Sequence, residues 1–208
     1  MNTKRKFIES HWLTFAIKGA ISVVAGLCLA VALNKDVDKL THIVGWTMVG
    51  LSFIELSNCV HRKRRSQNIG FALFLGMLEL VIAIAMLVTS IPGLTDTDLI
   101  GVRVAMLSGY VLFASVVTIA MGFKGFDNMT DRFMWIVNGM IGAILAFVMF
   151  GGPDRITHIS LFGLYLLVNG LTDLFFGVHS KDEMVELRAA RAAKRVAVKK
   201  STKKGAKK

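Results

Sequence analysis

Proline and charge are scarce in this chain. Only two prolines interrupt 208 residues, and 19% of the side chains are charged, where a soluble domain shows about a quarter. Cysteine is equally rare. Cys28 and Cys59 both lie inside apolar runs, which excludes a disulfide framework or a cysteine metal centre and leaves them as packing residues. The paired-histidine zinc helix, the phosphate loop and the nucleophile elbow are missing too. Ser108, in "LSGY", has neither the flanking motif nor a base at a suitable depth. The expectation is a protein that is not an enzyme, with no cofactor and no metal.

What the chain does have is apolar length. Hydrophobic residues make up 54% of it and the mean hydropathy is +0.58. The apolar runs fall near residues 11–33, 38–60, 68–91, 98–122, 133–151 and 155–178. Each is about the twenty residues that a bilayer core requires. Short polar knots such as "NKDVD", "HRKRRSQN" and "GGPDR" join them. The first run is too long for a signal-peptide core and holds Lys18 in its middle third, so it reads as a retained span.

Positive charge sets the orientation. Lys4, Arg5 and Lys6, then Arg62 to Arg65, then Lys124 and Arg132, and finally the tail all fall on one side. Only Lys35, Lys39 and Arg155 flank the spans on the other. Both termini are therefore expected in the cytoplasm of a bacterium, with the spans in its inner membrane. Trp12 and Trp135 lie near cytoplasmic span starts, where indole rings favour the interface. The expected organisation is a basic N-terminus at 1–10, a six-span domain at 11–178 and a basic tail at 180–208.

The tail opens on "SKDE", a capping box with Ser180 as N-cap and Glu183 at the third helical position. Arg188, Arg191, Arg195 and Lys199 then recur at helical spacing, ahead of a lysine-rich end. This pattern reads as a basic amphipathic helix suited to anionic lipid headgroups. A solvated tail that only reinforces topology is the plainer reading. Nucleic acid is not an expected partner, because no base-reading or aromatic pattern accompanies the lysines. The expected partner is the bilayer itself, and a homo-oligomer stays open.

The spans repeat. Span 1 has "KGAISVVAGL", span 3 "LGMLELVIAI" and span 5 "NGMIGAILAF", which align Gly19, Gly76 and Gly139. Span 2 closes on "ELSNCVH" and span 6 on "DLFFGVH"; Gly50 of span 2 matches Gly109 of span 4. The unit is a two-helix hairpin used three times, at about 11–66, 68–124 and 133–179. The fold expected is all-α: a six-helix transmembrane bundle of three parallel hairpins around a pseudo-threefold axis. Small residues mark packing faces, with Gly19, Ser22 and Gly26 on span 1 and Gly163, Gly170 and Gly177 on span 6.

The stretches "KGAISVVAGLCLA" and "FGLYLLVNGLTDLFFG" resemble the HdeD-type family of small bacterial membrane proteins. The resemblance covers about residues 10–180. It implies a six-span inner-membrane protein linked to acid resistance, with no established biochemical activity. Two departures stand out: Lys18 where arginine is usual, and the long basic tail.

Ionisable residues inside the spans are the remaining signal, since each costs about 2.5–3.5 kcal/mol to insert. Lys18 and Glu55 lie at nearly the same depth on neighbouring antiparallel spans. In repeat 3 they align with Asn138 and Asp173, and in repeat 2 with the apolar Leu75 and Ala114. Polar partners are thus present together or absent together, which suggests Lys18–Glu55 and Asn138–Asp173 locks within hairpins. Glu79 lies near the midplane with no obvious positive partner at its depth, and Arg103 lies near the outer end, within snorkelling reach. His42 and His158 begin outward-facing span ends, where a histidine can answer falling pH or simply anchor the interface. Two functions fit: a structural or stress-protective membrane protein, or a small-solute or proton pathway through Glu79. Sparse polar residues and the lack of Gly–Pro breaks favour the first.

Overall fold

The computed structural model describes residues 3–31, 37–64, 70–90, 97–125, 129–151 and 157–179. These form six helices: α1 (Thr3–Val31), α2 (Val37–Arg64), α3 (Gly70–Thr89), α4 (Thr97–Gly125), α5 (Met129–Gly151) and α6 (Thr157–His179). No strand occurs among the described residues. The basic tail, with Arg188, Arg191, Arg195 and Lys199, lies outside them.

The helix ends follow from local chemistry. Pro92 and Pro153 come just after the ends of α3 and α5, where a residue without an N–H cannot continue the ladder. At the end of α3 the Ser90 hydroxyl donates to the Leu87 carbonyl and the Thr89 hydroxyl to the Ala85 carbonyl. Within the helices, Thr47, Ser115, Thr118 and Thr172 bond back to the carbonyl four residues earlier. These hydroxyls need no water, which suits them to hydrocarbon surroundings.

Five of the helices are long and apolar enough to cross a bilayer, and α3 adds the shorter apolar run Leu73–Thr89. The outer faces carry Leu13, Val24, Trp46, Phe53, Val81, Val116, Phe147 and Phe175, all exposed. So much exposed apolar surface fits a lipid solvent, and the chain is a multi-pass membrane protein. The core takes residues from all six helices: Leu29, Met48, Met86, Val111, Met149 and Phe162 lie in one buried cluster.

The closest packing runs between the repeats. α2 packs extensively on α3 and α4 on α5, while α1–α2 and α3–α4 touch far less. Glycines explain this. A Cβ added to Gly19 would stand 2.7 Å from the Gly170 carbonyl oxygen and the Leu174 nitrogen on α6. One added to Gly76 would meet Leu56 and Glu55 of α2, and one added to Gly139 would meet Ser115 and Ile119 of α4. Leu174, Leu56 and Ser115 each follow the aligned positions Asp173, Glu55 and Ala114. The same contact therefore recurs three times, each time from an odd helix to the last helix of another repeat. Gly26 against Gly163 and Leu167 extends the α1–α6 seam, which joins the first and last helices.

A Cβ added to Gly50 or Gly109, matched in the sequence, would meet nothing within 4 Å among the described residues. Two expectations are corrected. Trp135 is buried against Phe176 and Phe15, with centroid separations of 5.5 Å and 6.5 Å, so it packs between helices instead of anchoring an interface. Arg103 is buried at 7% exposure and does not snorkel along the outer surface. Neither cysteine is in a disulfide; Cys28 is exposed and Cys59 buried.

Candidate functional site

The interior polar groups form the site. Lys18 of α1 donates from Nζ to Glu55 Oε1 of α2 at 2.6 Å, and both side chains are largely buried. The bond is possible because Lys18 and Glu55 sit at one level on antiparallel helices. The ammonium and the carboxylate share a cost that either would bear alone in hydrocarbon.

Asn138 of α5 has a different partner from the one its repeat alignment suggested. Its Nδ2 donates to Asn169 Oδ1 of α6 at 3.0 Å. Asn169 precedes Asp173 by one helical turn, so the α5–α6 link survives with a neighbouring residue in the role. An amide pair also satisfies both groups as neutral partners. Asp173 is 5% exposed, and its Oδ2 has no hydrogen-bond partner among the described residues.

The second repeat carries a link that the sequence reading had excluded. Tyr110 of α4 donates its hydroxyl to Glu79 Oε1 of α3 at 2.7 Å. Glu79 is fully buried, and its second oxygen has no partner among the described residues. An interior polar bond thus joins the two helices of each hairpin: Lys18–Glu55, Tyr110–Glu79 and Asn138–Asn169. The aligned positions Leu75 and Ala114 are apolar, but the neighbouring turns supply the pair. Tyr110 and Asn169 were the residues missed. The signal available was their position, since each is a polar side chain in the middle of an apolar span.

These groups form one electrostatic centre. Lys18 acts on Glu55, Glu79 and Asp173 together, and Asp173 in turn feels Lys18, Glu55 and Glu79. Tyr165 of α6 is buried beside them and feels Lys18, Glu79 and Asp173. Tyr110 and Tyr165 meet edge to face at 6.4 Å. The centre holds one ammonium and three carboxyl groups, drawn from α1, α2, α3 and α6. Among the described residues, no group of three or more His, Cys, Asp or Glu is arranged to hold a metal ion.

The histidines stand apart from it. His42 near the start of α2 is exposed, whereas His158 near the start of α6 is 5% exposed. Repeat-equivalent positions therefore meet different surroundings. His179, at the end of α6, stacks on Phe175 at 6.0 Å with the planes 8° apart.

A family model described as a short repeat of unknown function (DUF308) matches residues 17–88. That stretch runs from α1 through α3 and includes Lys18, Glu55 and Glu79. No curated protein and no solved structure matches the chain.

Proposed function

We propose that the chain is a non-enzymatic, multi-pass protein of the bacterial inner membrane, of HdeD-like type, with both termini cytoplasmic. Its role is structural or protective under acid or envelope stress. The observation that carries this reading is the set of interior bonds that tie the two helices of each hairpin together. Polar groups spent on tying helices together suit a protein whose product is a stable membrane body. The short-repeat match supports it, because that family contains HdeD-type membrane proteins. The test is acid survival of a strain lacking the protein. Wild-type protein should restore survival, and a Glu55→Gln variant should restore it poorly at equal synthesis. Survival unchanged by the deletion removes the protective role.

Glu79 favours a second reading, a proton or small-solute pathway. It is fully buried, and one carboxyl oxygen has no partner among the described residues. Intramembrane carboxyls of this kind serve proton relays. Proton flux into liposomes holding the purified protein, compared with Glu79→Gln, tests it. Flux that stops in the variant supports the pathway, and no flux above protein-free liposomes removes it.

A further inference from the structure

The interior centre is unbalanced in charge. One ammonium, on Lys18, faces the carboxyls of Glu55, Glu79 and Asp173. Lys18 is bonded to Glu55, which accounts for one negative charge. Two carboxyls remain. Among the described residues no other titratable cation acts on them: α4 presents Tyr110, α6 presents Tyr165, and α5 contributes the neutral Asn138. Two uncompensated negative charges inside a membrane bundle are strongly unfavourable.

Geometry marks the same two groups independently. Glu79 Oε2 and Asp173 Oδ2 are buried and lack hydrogen-bond partners among the described residues, at 0% and 5% residue exposure. A carboxylate held in hydrocarbon with a bare oxygen is the worst placed of ions, whereas a carboxylic acid needs fewer partners. The Tyr110 hydroxyl donates to Glu79 Oε1, which leaves Oε2 as the oxygen able to carry hydrogen. Ser22, fully buried against Gly170, places a hydroxyl with no partner among the described residues one turn along α1 from Lys18.

We propose that Lys18, Glu55, Glu79 and Asp173 form a proton-binding centre that holds two protons, one on Glu79 and one on Asp173. The inference deepens the pathway reading at the same residues, but it concerns occupancy and not transport. Each proton is taken from water and returned to water, with no bond formed or broken besides the O–H. Charge balance sets the number. With Lys18 removed the centre takes a third proton, and with Lys18 and Glu55 both removed it keeps two.

Infrared spectroscopy of the full-length protein in lipid reads this directly, because protonated carboxyls absorb apart from carboxylates. Wild-type protein at neutral pH should show two buried carboxylic-acid signals. Isotope labelling of aspartate alone should shift one of them, and labelling of glutamate alone the other. Glu79→Gln should lose the glutamate signal and Asp173→Asn the aspartate signal. Lys18→Met should gain one signal, and the Lys18→Met, Glu55→Leu double variant should show the original two. The labelling needs no variant, so a misfolded mutant leaves the test intact. Wild-type protein with no carboxylic-acid signal, or a signal shifted by neither label, overturns the inference. Both signals present without proton flux into liposomes would uphold the centre and remove the pathway.

Discussion

Tyr110 is where a small change should speak most clearly. Its hydroxyl is the donor to Glu79 Oε1, and Tyr110→Phe removes only that oxygen. We expect a loss of about 1 kcal/mol in unfolding free energy in detergent, within the range measured for interhelical bonds in membranes. Equal stability of the two proteins would show the bond to be idle. Asn169 gives a second test. Asn169→Leu leaves the Asn138 amide buried without its acceptor, so it should destabilise the protein more than the Asn138→Leu, Asn169→Leu double change. Matched midpoints for single and double variants would contradict the pairing. These residues also mark how far the sequence could be read. Depth counting put Lys18 level with Glu55 because one residue advances a helix by about 1.5 Å. It placed Asn138 opposite Asp173, one turn from its observed partner. Depth does not specify helix rotation, and rotation chooses between side chains a turn apart. Tyr110 carries no charge, so counting charged residues by depth does not single it out, although its hydroxyl needs a partner when buried.

At the scale of helices, the contrast among glycines is the informative one. Gly19 and Gly26 of α1 approach the α6 backbone so closely that a methyl group would collide with peptide atoms. Backbone cannot turn aside as a side chain can, so Gly19→Ala or Gly26→Ala must push the two helices apart. Gly50→Ala and Gly109→Ala meet nothing within 4 Å. Those changes should leave stability unchanged or raise it by up to about 1 kcal/mol, through the better helix propensity of alanine. Unfolding midpoints of the four variants check this, and equal losses at all four positions would contradict the seam. The repeat of glycines was legible in the sequence, and so were the apolar segments, because apolar runs are one-dimensional signals; the helix ends were not, since α1 starts at Thr3 and α2 runs on to Arg64, beyond their apolar runs. Gly19, Gly26, Gly163, Gly170 and Gly177 were legible as packing residues, and all of them approach a neighbouring helix closely; which helix each one meets was not legible. Gly50 and Gly109 align as well as Gly19 and Gly76 do, yet only facing helices distinguish them. The sequence also grouped helices as hairpins, since short loops join them, whereas close packing joins α2 to α3 and α4 to α5.

For the molecule as a whole, orientation and the tail carry the predictions. The proposed orientation, read from the basic clusters, puts Arg64 on the cytoplasmic side. A cysteine replacing Arg64 should react with a membrane-impermeant reagent only in opened cells. Reaction in intact cells would invert the topology. The basic segment 180–208 is proposed to lie on anionic headgroups. A spin label at Lys194 of the full-length protein should be immobilised in anionic lipid and mobile in neutral lipid. Identical spectra in both would remove the docking reading.

The interior bonds unite these scales, because each fixes one hairpin while glycines join neighbouring repeats. The most direct measurement is a double-mutant cycle at Lys18 and Glu55, the 2.6 Å pair between α1 and α2. Unfolding free energies would be compared for wild type, Lys18→Met, Glu55→Leu and the double variant in the same detergent. Each single change removes one partner of the pair, so the other must give up its charge or find a new partner. The account predicts two damaging single changes and a double variant that recovers much of the loss. A double variant as unstable as the two singles added together would contradict it.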